Sequence, residues 1–200
     1  MNTKFEALDN PVIAVLGAGH GGMAMAGHLA LMGYEVNLFN RGEERLWGVR
    51  SSGGIELTGE VAGFGPIKMA TTSMQEALSN ASLIMVVVPA LAHRWIAEQA
   101  APFLRDGQMI VLHPGRTLGA LEFKQVLDTL NVKADVIISE AQTFIYASRS
   151  IGPAQVKIFS IKNSIPIASI RAHLIPMVIK QLRKCFPHFV PGDNIFKTSF

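Results

Sequence analysis

The chain has 200 residues, 49% of them hydrophobic and 16% charged, with a mean hydropathy of +0.30, which is enough apolar material for a full core and excludes a disordered chain. No apolar run reaches the roughly 20 residues that cross a bilayer, and the first ten residues lack the basic start and apolar stretch of a secretory signal, so a cytoplasmic protein with no membrane partner is expected. The net charge of +3 is dispersed apart from Lys180, Arg183 and Lys184, which argues against nucleic acid; the single Cys185 excludes an internal disulfide, and no Cys or His stands at metal-ligand spacing.

Short apolar runs alternate with longer stretches of helical period, the pattern of parallel strands joined by helical crossovers. Val12 to Leu16 reads as a strand, Gly21 to Met32 as a helix ending at Gly33, Glu35 to Phe39 as a second strand and Glu43 to Arg50 as a polar helix. Between Gly53 and Thr72, alternating Ile55, Leu57 and Val61 broken by glycines predict an antiparallel excursion leading into a strand over Ile67 to Thr71. Ser73 and Glu76 have capping-box spacing and open the next helix. Leu83 to Val88 and Met109 to Leu112 are apolar enough for strands buried on both faces, with a helix over Ala90 to Leu104 between them. A helix over Leu118 to Leu130, a sixth parallel strand over Val136 to Ile138 and a strand over Gln155 to Ile161 follow. From Ile167 the chain is expected to turn helical, with Pro176 at a start or kink and Pro187 and Pro191 ending the helix. The fold expected is α/β: a Rossmann-type doubly wound parallel sheet with helices on both faces over residues 1–165. Residues 166–200 are expected to be the start of a largely absent helical second domain.

The chemistry starts at Gly17-Ala18-Gly19-His20-Gly21-Gly22, directly after the first strand and directly before an amphipathic helix. In that context each glycine of a G-x-G-x-x-G turn serves a separate physical purpose. Gly17 permits the tight turn, Gly19 lets the backbone approach a pyrophosphate, and Gly22 brings helix and sheet together. The helix N-terminus then offers unpaired N–H groups and a partial positive charge to the diphosphate of a nicotinamide dinucleotide. His20 is expected to contribute its backbone N–H rather than its ring. The second strand ends in Asn40-Arg41, where an NAD-preferring domain carries a carboxylate for the ribose hydroxyls. An arginine there pairs with a 2′-phosphate and stacks on adenine, which favours NADPH over NADH. Arg45, one helical turn on, is a possible second cation or a solvated surface residue. Val88 and Pro89, with Pro114 of His113-Pro114-Gly115-Arg116, follow strands at the carboxyl edge of the sheet and are expected to flank the nicotinamide.

The runs Val15 to Gly22, Val86 to Ala90, His113 to Phe123 and Arg149 to Val156 together resemble the N-terminal half of octopine/nopaline-type opine dehydrogenases, over nearly the whole chain. The resemblance implies reductive condensation of an amino acid with a 2-keto acid such as pyruvate, with hydride from NADH or NADPH and a secondary-amine dicarboxylate as product. It assigns the catalytic histidine and its aspartate to a C-terminal helical domain, so no catalytic residue is expected here; His113-Pro114 matches the family's strand-end loop, not its catalytic pair. From that same loop Arg116 is expected to reach a substrate carboxylate, and Glu140 and Thr143, after the sixth strand, to line the cleft; the competing reading is that all three are simple surface or loop residues. The chain is thus expected to be a cofactor-binding portion, inactive alone, with apolar surface that permits either the missing domain or a homodimer. Two other readings stand: a ketopantoate reductase or glycerol-3-phosphate dehydrogenase type of reductase, and a non-catalytic dinucleotide-sensing module.

Overall fold

The structure is a computed structural model that describes residues 5–200. β1 (Ile13–Leu16) passes through the glycine turn into α1 (His20–Leu31) and β2 (Val36–Phe39), after which come α2 (Trp47–Ser52), β3 (Gly54–Gly59), β4 (Gly63–Pro66) and β5 (Met69–Thr71). The alternation continues with α3 (Met74–Leu78), β6 (Leu83–Val86), α4 (His93–Ala100), β7 (Met109–Leu112), α5 (Gly119–Thr129) and β8 (Ile137–Ala141). The chain then forms β9 (Tyr146–Gly152), β10 (Gln155–Ile161), β11 (Ile165–Ser169), α6 (Ile175–Arg183), β12 (Phe189–Pro191) and α7 (Ile195–Ser199).

The main sheet has the order β12-β11-β8-β7-β6-β1-β2-β5, and the six strands from β8 to β5 run parallel. β1, β6 and β7 are buried at every position, because each has a layer on both sides. Successive side chains point to opposite faces of a strand, so one apolar run feeds two cores. Ile13, Val15, Leu83, Met85, Met109 and Val111 pack with α1 and α6, whereas Ala14, Leu16, Ile84, Val86, Ile110 and Leu112 pack with α3, α4 and α5. This is the doubly wound arrangement, and it brings the strand ends Leu16, Phe39, Val86 and Leu112 to one edge.

A second sheet, in the order β4-β3-β10-β9, covers the outer side of α1. α1, expected to be amphipathic, is instead apolar on nearly every side, because each residue from Gly22 to Gly27, with Leu29 and Ala30, is buried between two sheets. A side chain on Gly27 would come within 3.0 Å of Ile55 on β3. β3 and β4 are antiparallel, as the excursion predicts, but β10 joins β3 in parallel across a long sequence gap, and β9 pairs antiparallel with β10. β9 is not anticipated by the sequence reading.

Two local expectations need correction. The helix expected from Ile167 is preceded by a strand: β11 runs antiparallel to β8, and β12 adds parallel to β11 beyond it. Ile165, Ile167, Val178, Leu182 and Phe189 join the buried cluster that contains Ile13 and Val15, so residues 166–200 extend the main sheet, with α6 as its only helix of more than two turns. At α3 the Ser73 hydroxyl accepts from the Glu76 N–H at 3.3 Å, as predicted. The return bond is relayed: Glu76 takes the Thr71 hydroxyl, and Thr71 Oγ1 accepts from the Ser73 N–H at 3.0 Å. Thr71 ends β5, so this cap also fixes where the strand stops.

Candidate functional site

The turn between β1 and α1 owes its shape to missing side chains. Gly17 has φ +114°, in the region that favours glycine, and a Cβ there would lie 2.4 Å from the Val87 carbonyl oxygen. A Cβ on Gly22 would lie 1.6 Å from the Gly17 carbonyl oxygen, so helix and turn touch backbone to backbone. Around Gly19 a Cβ would meet nothing within 4 Å: the space above it is open. Gly19 is the N-cap of α1 and no side chain caps the helix, so the first N–H groups of α1 have no intrahelical acceptor and no capping partner. These are the features an anion needs at a helix N-terminus.

Within the turn the amides divide. The Gly17 N–H donates to the Phe39 carbonyl at 2.8 Å, and the Ala18 N–H donates to Asn40 Oδ1 at 3.2 Å, while Asn40 Nδ2 donates to the Gly42 carbonyl at 2.8 Å. Asn40 is therefore a tie between the end of β2 and the turn, and Ala18 spends its N–H inside the protein. Beside the turn lies a cleft of about 330 Å3 whose lining includes Gly17, Asn40, Arg41, Val88, Pro89 and Trp95. Arg41 is exposed at its rim, with its guanidinium 6.0 Å from the Trp95 ring, and Trp95 in turn stacks on Phe39 at 6.3 Å and 27°. Trp95 is not singled out by the sequence reading, because on a helical pattern it reads as core. A larger groove, about 840 Å3 between α2 and the β3–β4 hairpin, contains none of the predicted site residues.

On the other side of the turn, the Phe144 ring lies over the start of α1: a Cβ on Gly21 would meet Phe144 at 2.8 Å and Val87 at 3.3 Å. Phe144 thus closes the space between the start of α1 and Val87, just after β6. Thr143 is half-buried beside it, with its hydroxyl accepting from Lys162 Nζ at 2.6 Å. Neither Phe144 nor Lys162 carries a motif that flags it in sequence.

The loop after β7 brings Pro114 to the same edge and throws Arg116 outward, exposed, on three successive left-handed residues: Arg116, Thr117 and Leu118 at φ 34°, 55° and 66°. His113 points the other way. It is 2% exposed, its Nε2 lies 3.2 Å from Met85 Sδ, and burial pushes its pKa down to about 3, so it is a neutral core residue and no proton donor at working pH.

Glu140 departs from expectation. Instead of lining a cleft it is fully buried, with one carboxylate oxygen accepting from the Ala120 N–H at 2.9 Å and the other from the Ser199 hydroxyl. It caps the first turn of α5 from the neighbouring strand and ties α7 to it. Burial pushes the Glu140 carboxyl up, against the opposing pull of the Ser199 hydroxyl and the Ala120 amide. A raised pKa means that the folded protein holds this proton more tightly than the unfolded chain, so the contribution falls as pH rises above the usual glutamate range. Glu140→Gln keeps a group that can accept from Ala120 and donate to Ser199. It is expected to gain stability relative to wild type between pH 5 and pH 8, measured by urea denaturation at both; a difference independent of pH would refute the burial argument.

Among the described residues no group of His, Cys, Asp and Glu is placed to hold a metal ion, and no helix is long and apolar enough to cross a membrane.

Comparison with known proteins agrees with this geometry. The family model described as NAD-dependent glycerol-3-phosphate dehydrogenase N-terminus matches residues 12–114, just over half the chain. The opine dehydrogenase of Arthrobacter sp. (strain 1C) is 33% identical over 193 residues, covering 96% of this chain and 54% of that protein. A glycerol-3-phosphate dehydrogenase [NAD(P)+] of Thioalkalivibrio sulfidiphilus (strain HL-EbGR7) is 34% identical over 104 residues, 52% of this chain and 31% of that protein. Octopine dehydrogenase, solved with NADH and pyruvate, superposes with a TM-score of 0.83 at 19% identity, over 94% of this chain and 51% of that one. The chain thus spans about half the length of the opine dehydrogenases it matches, and these relatives point to a nicotinamide dinucleotide as cofactor. The chain belongs to the family of NAD-dependent glycerol-3-phosphate dehydrogenase N-termini, as a Rossmann-type NAD(P)-binding domain of the opine-dehydrogenase kind.

Proposed function

We propose that the protein is the NADPH-binding portion of an opine-dehydrogenase-like oxidoreductase. The intact enzyme condenses the amino group of an amino acid with a 2-keto acid such as pyruvate, releasing water. Hydride from the nicotinamide and a proton then reduce the imine to a secondary-amine dicarboxylate. The observation that carries this reading is the likeness to the Arthrobacter opine dehydrogenase, 33% identical over 193 residues, where a glycerol-3-phosphate dehydrogenase of Limosilactobacillus reuteri is 27% identical over 153 and the family model ends at residue 114.

In this reading the open face of Gly19 and the amides of His20, Gly21 and Gly22 take the diphosphate. Gly17, Ala18 and Asn40 hold the turn in shape, and Arg41 meets the 2′-phosphate. Val88, Pro89 and Pro114 flank the nicotinamide, Arg116 takes a substrate carboxylate, and Thr143 lines the cleft. The acid–base histidine and aspartate belong to a C-terminal helical domain, so this chain alone binds dinucleotide without turning over. The test is twofold: fluorescence titration of the chain with NADPH and NADH, then NADPH oxidation by the intact protein with pyruvate and a panel of amino acids. Failure of every pair would overturn the condensation. A second reading, a glycerol-3-phosphate dehydrogenase type of reductase, is favoured by the family match over residues 12–114, and reduction of NADP with glycerol 3-phosphate alone would establish it.

The cofactor preference makes its own prediction. A guanidinium on a 2′-phosphate is a charge-assisted pair absent from NADH, so Arg41→Ala is expected to weaken NADPH about tenfold and to leave NADH within about twofold. Tighter binding of NADH than NADPH by the wild type would remove this role from Arg41.

A further inference from the structure

The phosphate turn is braced by a strand that lies far from it in the chain. β9 runs beside the first turn of α1, and three polar contacts join them. The Ser150 N–H donates to His20 Nδ1 at 3.0 Å, the Ser148 hydroxyl donates to the His20 carbonyl at 3.4 Å, and the Ser150 hydroxyl lies 3.8 Å from Met23 Sδ. The Phe144 ring, just before β9, packs on Gly21 in the same turn of helix. Because a backbone N–H can only donate, His20 Nδ1 is the acceptor nitrogen and the neutral ring carries its proton on Nε2.

The contact also has a role for β9. This strand is the outermost of its sheet, so its outward N–H groups have no neighbouring strand. His20 supplies the acceptor that a further strand would have supplied at Ser150. One bond therefore closes a free sheet edge and fixes the orientation of the helix start.

We infer that the His20 imidazole is a positioning residue for the dinucleotide: it ties the first turn of α1 to the edge of β9, so that the turn's N–H groups are aligned before the phosphates arrive. This inference rests on the reading of the turn as the diphosphate site. It gives the His20 ring a role separate from that of its own N–H, which faces the anion. It also gives the second sheet a part in cofactor affinity, although no residue of that sheet lines the cleft beside Arg41.

The test compares His20→Leu with His20→Asn. Asparagine places Oδ1 where histidine has Nδ1 and accepts the same bond; leucine fills similar space and accepts nothing. His20→Leu is expected to bind NADPH about fivefold or more weakly, the scale of one hydrogen bond, and His20→Asn to stay within about twofold of wild type. The Ser150 amide should exchange with solvent faster in His20→Leu than in wild type or His20→Asn, and 15N spectra of the wild-type ring should show Nδ1 unprotonated. Equal affinities of wild type, leucine and asparagine proteins, or a ring protonated at Nδ1, would overturn the brace while Gly19→Ala still abolishes tight binding. If Gly19→Ala also binds like wild type, the diphosphate reading falls and the brace with it.

Discussion

A Gly19→Ala protein is expected to melt where the wild type melts and to bind NADPH about a hundredfold more weakly, a change of roughly 2.8 kcal/mol in binding free energy. The reason is the asymmetry of the turn. Gly19 has φ -75° and ψ -174°, backbone that any L residue adopts, and its added methyl would meet no protein atom within 4 Å. The free protein should not register the change. In the proposed binding mode the methyl occupies the side from which the diphosphate approaches the helix N-terminus, so the loss appears only on binding. Gly22→Ala gives the opposite signature. Its Cβ would stand 1.6 Å from the Gly17 carbonyl oxygen and 2.7 Å from its carbon, and both are backbone, so the turn or the helix must move. A cost of about 3 kcal/mol in stability is expected, with binding lost as a consequence of the distorted turn. Thermal melting and fluorescence titration of the two proteins separate the roles. Wild-type affinity in Gly19→Ala would show that the phosphates do not lie on this turn.

How much of this was legible in the sequence follows from how local each interaction is. The glycine turn is encoded within six residues, and the central strands announce themselves because β1, β6 and β7 are apolar throughout, as burial on two faces demands. The edge of the sheet was hidden. β11 is a short apolar run beginning Ile165-Pro166, with Pro176, Pro187 and Pro191 close behind, and such a run does not declare strand or helix by period alone. It becomes a strand because β8 offers it an open edge, and β12 follows because β11 offers the next.

In the site the same rule holds. Gly17, Gly19 and Gly22 were readable; the partners that orient them were not. Asn40 stands where a carboxylate is usual and is expected beside the cofactor, yet its side-chain oxygen accepts from the turn itself. Glu140 looked like a cleft residue because it ends a strand at the correct edge, yet it faces inward, where the N–H of Ala120 and the hydroxyl of Ser199 need an acceptor. His20 and Ser150 are 130 positions apart, and Phe144 meets Gly21 across a similar interval. Such pairs exist only once two sheets close around α1.

His113 gives the second large effect, through pH. Its ring is enclosed, with Phe189 at 5.6 Å and Met85 Sδ as its polar neighbour, so a charge there would be desolvated without an anion to offset it. Burial pushes the pKa down to about 3, far below the roughly 6.5 of an exposed histidine in the unfolded chain. Between those two values the unfolded chain binds a proton that the folded protein refuses, and stability rises with pH in that window. The contribution is complete above about pH 6.5 and is lost as pH falls toward 3, at a slope approaching about 1.4 kcal/mol per pH unit. His113→Leu keeps a similar volume and removes the titration. Relative to wild type it should therefore be about 2 kcal/mol better at pH 5 than at pH 7, measured from urea midpoints at the two values. A constant difference would mean that the ring is hydrated or paired when folded. In that case His113 would be able to exchange protons beside the proposed nicotinamide site, and its exclusion from the chemistry would have to be withdrawn.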